Sequence, residues 1–319
     1  MFRTAIFYLS TAAFFFHAEA ALSSGFFTQA ELLYWQAEEG GLTYALEGPS
    51  LAQLRGKNLS FEWDVGFNVG IGYRIPHDQW QLLLQFTSLQ THADARNKGK
   101  NGNVFFPSWL SSDSPISLFA SEVKAHWRLH LGLIDALLSK SCPATKTFTL
   151  TPQIGIRWGS IRQKFNIAYF GGNFLPEENI LIRMKNKFQG LGPIAALGSE
   201  YAFCKSWSLF AKAAASLLYG QFYLHQDEDT LGTKEKLLGL HSIFRSISPI
   251  LEGTAGIRWQ HRFNSSLKRL VFDIAWDQLL FFSQNQLVHL VSSQQPGITV
   301  ANQGDLSIAG VHFKMGFDF

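Results

Sequence analysis

Residues 61–73 read Phe-Glu-Trp-Asp-Val-Gly-Phe-Asn-Val-Gly-Ile-Gly-Tyr, with a large apolar side chain at every odd position and a charged, amidic or glycine residue at every even one. Side chains alternate faces along a β-strand, so Phe61, Trp63, Val65, Phe67, Val69, Ile71 and Tyr73 share one face. Glu62, Asp64, Gly66, Asn68, Gly70 and Gly72 share the other. The run exceeds the roughly 5 to 6 residues usual for a soluble strand. At about 3.3 Å per residue and a tilt near 40°, the stripe from Phe61 to Tyr73 spans roughly 30 Å, the height of a lipid-facing band between aromatic girdles. The stretch predicts a membrane strand of an outer-membrane barrel.

The N-terminus agrees with export. Arg3 gives a positive end, Ala5 to Phe16 a short apolar core and Ala18-Glu19-Ala20 a small-x-small cleavage site. This predicts a signal peptide over residues 1–20, cleaved to leave 21–319 as a single barrel domain. The apolar core is too short for a membrane anchor, which needs about 20 residues, and no later stretch has 18 apolar residues in a row. Charged residues make up 16%, below the roughly 25% of soluble domains, while aromatics reach 14%. A net charge of +3 with no basic block interleaved with aromatics predicts no nucleic-acid partner.

Nine further segments carry the same alternation: Phe27 to Trp35, Trp80 to Leu89, Phe119 to Leu133, Phe148 to Ser160, Gln189 to Tyr201, Trp207 to Tyr219, Ile250 to His261, Leu270 to Leu279 and Ala309 to Phe319. With the apolar face turned to lipid, the outward set includes Ala30, Leu32 and Tyr34 in the first and Val123, Ala125, Trp127, Leu129 and Leu131 in Phe119 to Leu133. The predicted pore lining is then Glu31, Glu62, Asp64, Asn68, Glu122, Lys124, His126, Arg128, His130, Arg157, Lys212, Glu252, Arg258, Asp273, Asp277, His312 and Lys314, with Asp318 on the same side. Acids and bases nearly balance there, which suits either a watery lumen or one plugged by salt bridges. Trp63, Tyr73, Trp158, Trp207, Tyr219, Trp259 and Trp276 are the predicted membrane-interface aromatics.

Connections between these segments alternate long and short, as in transmembrane barrels with tight periplasmic turns and long outer loops. The architecture expected is an all-β, antiparallel up-and-down transmembrane barrel of ten to twelve strands. More strands are possible, because Gly41 to Leu46, Asn103 to Leu110, Phe165 to Phe170 and Ile180 to Phe188 are strand-like and each extra hairpin would widen the wall. Pro152 and Pro193 lie inside assigned strands, where a missing donor predicts a bulge or a late start. About eight strands are filled by their own side chains and sixteen to eighteen leave a channel, so ten lies between.

In the last segment Ala309, Val311, Phe313, Met315, Phe317 and Phe319 alternate with Gly310, His312, Lys314, Gly316 and Asp318. With Phe313, Phe317 and Phe319 on one face, it resembles the insertion signal that the barrel assembly machinery reads by strand addition.

Ala30-Glu31-Leu32-Leu33-Tyr34-Trp35-Gln36-Ala37 followed by Gly41-Leu42-Thr43-Tyr44-Ala45 resembles the opening of the Legionella-type major outer membrane proteins, also found among Chlamydia-related bacteria. Trp63 to Tyr73 with the Pro76-His77-Asp78 turn, Trp80 to His92, and Cys204-Lys205-Ser206-Trp207-Ser208-Leu209-Phe210 are similar to the same family. The resemblance covers nearly the whole chain after residue 20. It implies a porin-like barrel of the bacterial outer membrane, with no catalytic residues to carry over and no cofactor.

The expected function is passive diffusion of small hydrophilic solutes or ions. A non-conducting structural barrel or surface adhesin is the alternative, and an omptin-like hydrolase a third. For the last, His225 with Asp227 and Asp229 falls in a predicted outer loop. No nucleophile-elbow serine and no Walker glycine loop accompany them. His126 and His130 flank Arg128, whose charge opposes a metal. Cys142 and Cys204 fall in predicted periplasmic turns two strands apart. An internal disulfide, a cross-link to another envelope protein and two free thiols all remain open. Outer-membrane lipid and a second copy of the chain complete the expected partners.

Overall fold

The chain is described from a computed structural model covering residues 25–75, 80–100, 102–111, 118–173, 179–232, 236–263, 268–290 and 299–319. The proposed signal peptide and the Pro76-His77-Asp78 turn lie outside them.

Ten long strands form the wall: β1 (Phe26–Glu39), β2 (Trp63–Arg74), β3 (Trp80–Lys98), β4 (Glu122–Lys140), β5 (Phe148–Phe170), β6 (Ile180–Ala202), β7 (Trp207–Thr230), β8 (Lys236–Arg262), β9 (Arg269–Leu290) and β10 (Thr299–Asp318). Each pairs antiparallel with its sequence neighbours, and β10 closes on β1 from Phe27↔Asp318 to Glu39↔Leu306. Closure leaves no unpaired sheet edge, which lets strands cross hydrocarbon without orphan backbone groups. Among the described residues no helix is long and apolar enough to cross a membrane.

Eight of the strands are far longer than the 9–11 residues that a span requires, β8 with 27, whereas β1 has 14 and β2 has 12. Along several of them, β4 to β7 most clearly, the apolar face changes sides. Low on β4, Ile134, Ala136 and Leu138 point outward, with Ile134 40% exposed, while Asp135 points in. Higher up, Val123, Ala125, Trp127, Leu129 and Leu131 are buried inside, and Glu122, Lys124, His126, Arg128 and His130 line the outer surface. The same switch occurs on β5 between Trp158, facing out, and Ile161 and Phe165, facing in. On β7 it falls between Tyr219, facing out, and Phe222, facing in. Below the switch hydrocarbon rewards an apolar exterior. Above it water does not, and the barrel packs like a soluble core. This corrects the assignment of Glu122, Lys124, His126, Arg128 and His130 to the pore lining.

A second correction concerns residues 61–63. Gly66 pairs with Leu89, whereas Phe61 pairs with Ala93, so one extra residue is accommodated between them. Such a bulge reverses facing. Phe61 therefore packs inward, edge-on to Trp127 with ring centroids 5.3 Å apart, and Glu62 is exposed rather than lining the lumen.

The strand-like runs Phe165 to Phe170 and Ile180 to Phe188 extend β5 and β6 upward instead of adding hairpins. The other two runs contribute to a separate small sheet, Ala45–Ser50 between Gln53–Lys57 and Val104–Pro107. Neither proline shifts the register. Pro152 lies between the two ladders on one side of β5, which pair Leu150 with Cys142 and Gln153 with Ser139. At Pro193 the ladder to β7 lapses and resumes in step, from Leu191↔Tyr219 to Ile194↔Ser216. Adjoining Gly192 is needed there, since a Cβ would lie 1.8 Å from the Leu217 carbonyl oxygen.

Candidate functional site

The lumen is the candidate site, and it has two storeys. In the lower one, Arg157 donates through Nε and Nη2 to both oxygens of Asp135 at 2.6 and 2.8 Å, and it also pairs with Glu252. Gln85 adds a 2.9 Å donation to the same aspartate. Arg258 forks onto Asp273 at 2.8 and 2.9 Å and reaches Glu200 at 2.7 Å. Asp277 accepts from Thr254 at 2.8 Å and from Trp35 at 3.2 Å, and it sits 2.6 Å from Nδ1 of His312. Lys314 lies 3.6 Å from Glu31, and Lys212 faces the same interior near Asp135 and Glu31. Asn68 donates to Thr87 at 2.7 Å. At the floor, Arg74 and Arg269 both meet Asp318. The inward charges of the belt thus meet one another across the barrel, and Asp135, Arg157 and Asp273 are buried.

Sequence alternation placed Glu31, Asn68, Arg157, Lys212, Glu252, Arg258, Asp273, Asp277, His312 and Lys314 on one wall face, and the structure gathers them into this cluster. Asp64, beside the bulge, is half-buried 3.8 Å from His92. Glu200, Arg269 and Arg74 escaped the reading, the first because alternation in Gln189 to Tyr201 is weak, whereas Gln85 lies on the inward face that the alternation of Trp80 to Leu89 gives it.

The upper storey is apolar. Leu33, Leu89, Trp127, Leu129, Phe165, Phe188, Phe222, Phe281 and Leu306 fill it, none more than 1% exposed. Two loops cap it. Tyr44, Trp109 and Phe105, the last from the small sheet itself, are buried there. Trp109 donates to the Thr43 carbonyl at 2.9 Å and stands edge-on to Phe165, while Tyr169 donates to the Tyr44 carbonyl at 2.5 Å. Glu228, buried on β7, accepts from the Ser111 hydroxyl at 2.7 Å.

Set into the upper storey is a polar layer around Glu39, five residues above Tyr34 of the outward aromatic level. Its carboxylate accepts from Gln163 at 2.6 Å, and its other oxygen has no partner. Burial pushes the Glu39 carboxyl well above its ordinary 4.5, reinforced by Asp305 and opposed by Gln163. The folded barrel therefore holds the proton more tightly than the unfolded chain does. As pH rises through the unfolded-state value near 4.3, the unfolded chain releases that proton first, so folded stability falls until the raised folded value is passed. Glu39→Gln should remove this slope and raise the unfolding temperature at neutral pH, measured on detergent-solubilised protein from pH 4 to 8.

The aromatics mark two outward levels. Trp158, Leu191, Tyr219 and Ile247 are in register across four strands at the upper one, where Trp63 stacks on Tyr34 at 5.3 Å and meets Trp276 at 6.2 Å. Trp207, Trp259 and Phe272 are in register at the lower one, and Tyr73 lies at the foot of β2 opposite Phe26. Phe313, Phe317 and Phe319 share the outward face of the closing strand, and the last two rings are 5.0 Å apart.

The family of the Legionella pneumophila major outer membrane protein precursor matches residues 21–319. The chain belongs to that family. As a member of this major outer membrane protein family, it is a β-barrel protein of the bacterial outer membrane. No curated protein matches it. Among solved structures, the outer membrane protease OmpT of Escherichia coli is similar at 11% identity and TM-score 0.42, covering 94% of this chain and 99% of that one. The translocator domain of the autotransporter NalP from Neisseria meningitidis is similar at 11% and 0.35, covering 99% and 96%. The toluene transporter TodX of P. putida is similar at 9% and 0.31, covering 93% and 91%.

In this family member His225 lies not in a loop but on the outer wall of β7, 2.6 Å from Asp227, which also pairs with Lys236 at 2.8 Å. Cys142 and Cys204 are free, exposed and on the turn side of the barrel. Among the described residues no group of three or more His, Cys, Asp or Glu is placed to hold a metal ion.

Proposed function

We propose that this major outer membrane protein is a structural, surface-displaying barrel whose lumen is shut to passive diffusion in its resting fold. The observation that carries the reading is the filled upper storey, where Trp127, Phe165 and Phe222 close the bore beneath the Trp109 cap. Ten strands lie nearer to the roughly eight that their own side chains fill than to the sixteen to eighteen that leave a channel, which supports the same reading. The reading is non-enzymatic. His225 and Asp227 sit partly exposed on the outer wall and pair with each other, and Asp227 is also held by Lys236, an ordinary surface ion-pair arrangement.

Planar-bilayer recording tests it. Protein that shows heat-modifiable gel migration, and is therefore folded, should give no stepwise conductance. Steps from such protein would overturn the proposal. The second reading, a diffusion porin, is favoured by the balanced charges of the lower lumen, which would line a water path if the apolar storey moved aside. It predicts stepwise conductance and swelling of proteoliposomes in small sugars.

A further inference from the structure

Immediately above the apolar belt, β4, β5 and β6 turn a basic array outward. Arg162 stands in register with His130 on one side and Lys187 on the other, and Lys164 stands between Arg128 and Lys185. The strands are about 4.8 Å apart and alternate residues about 6.6 Å along, so the cations form a plate roughly 10 Å wide and two rows deep. All of them face away from the packed interior of Trp127, Leu129, Phe165 and Phe188.

The array lacks carboxylate partners, although Lys187 stands over the Tyr223 ring at 5.4 Å. Higher on the same wall the charges are paired, Arg96 with Glu122 at 2.7 Å and His126 with Asp94 at 2.6 Å. Arg128, Arg162, Lys164, Lys185 and Lys187 have no carboxylate within 4 Å among the described residues. Partial burial first, and then the charges of Arg128, Arg162 and Lys164, hold the His130 imidazole below its ordinary value. The opposite wall carries the exposed acids Glu38, Glu62 and Asp305 instead. A repulsive cluster kept on one side only, against the membrane, calls for an anion that belongs there.

Height selects the anion. His130, Arg162 and Lys187 each stand four residues above an outward belt residue, Ile134, Trp158 and Leu191 respectively. With a tilt near 40° this places them roughly 10 Å above the hydrocarbon edge, within head-group reach of long side chains. We propose that this plate docks the phosphorylated sugar head group of an outer-leaflet glycolipid, whose acyl chains continue down the apolar belt below. The guanidiniums of Arg128 and Arg162 grip phosphate through paired N–H donors, and the lysines add point charges.

The test uses the folded full chain in nanodiscs containing lipid A with both phosphates or its dephosphorylated form. Lipid retention is read by native mass spectrometry after delipidating washes. Wild-type protein should retain the phosphorylated lipid roughly tenfold or more over the dephosphorylated one, and R162Q/K164Q/K187Q should lose that preference. K146Q/K205Q, at the turn end, should keep it. Equal retention of the two lipids by wild type, or an unchanged preference in the triple variant, would overturn the proposal. So would displacement of the lipid by millimolar inorganic phosphate, which would make the plate a site for free phosphate. Heat-modifiable migration of every variant separates loss of docking from loss of fold.

Discussion

Arg157→Met will leave a barrel that unfolds far below the wild-type temperature, at a cost of about 3–5 kcal/mol. Asp135 is 1% exposed and receives two of its hydrogen bonds from this one guanidinium, while Glu252 depends on the same group from the facing wall. Methionine fills the volume but leaves buried Asp135 and half-buried Glu252 without their guanidinium, with Gln85 as a neutral donor and Lys212 as the nearby cation. Neutralising the acids as well, in Arg157→Met/Asp135→Leu/Glu252→Leu, should restore most of the loss, because a buried ion pair exchanged whole for apolar packing is close to neutral. The measurement is the temperature at which the compact gel band and tryptophan emission are lost. A wild-type midpoint for the single variant would mean that the lower lumen is wet, which would remove a support of the closed-bore reading.

Trp127→Ala should cost a similar amount, about 3–5 kcal/mol, by a different route. The indole is 1% exposed, takes Phe61 on its edge and makes no hydrogen bond through Nε1. All of its contribution is therefore packing, and part of the cost is the cavity left at the centre of the upper storey. Trp127→Phe should cost under about 1.5 kcal/mol, since it keeps most of the volume and removes a buried donor without a partner. If alanine and phenylalanine proved equally damaging, the contribution would lie in the N–H and not in the ring. Under the closed-bore reading, any folded Trp127→Ala protein is also the variant in which ion leakage should first appear.

Ten strands, their up-and-down order and the lower half of the lumen are legible in the sequence because hydrocarbon imposes one rule: apolar residues face out. That rule holds for Ile154, Ile156 and Trp158, and so it places Arg157 inside correctly. It fails for β4, where the cleanest alternation in the chain, Val123 to Leu131, belongs to the part of the wall that meets water. Period-two patterning reports that two faces differ, and it does not report which solvent each one meets. The signal was nonetheless present. Between Leu133 and Ile134 the apolar positions pass from odd to even numbers, with Asp135 confirming the new phase, and β5, β6 and β7 show similar switches. The turn of Phe61 to the inside was not readable, because it rests on a bulge set by pairing with Ala93, a partner far along the chain. For the same reason the cap escaped notice: Trp109 and Tyr44 become neighbours only when two loops fold together.

The change of phase along β4 to β7 acts as a waterline. It fixes how deep the protein floats, because sliding up would wet Ile134 and its level, and sliding down would drown Arg128 and its row in oil. Buoyancy of this kind depends on parity rather than on any one contact. Single substitutions should leave the draught unchanged, whereas removing one residue from a strand between the two zones would swap its wet and oily sides.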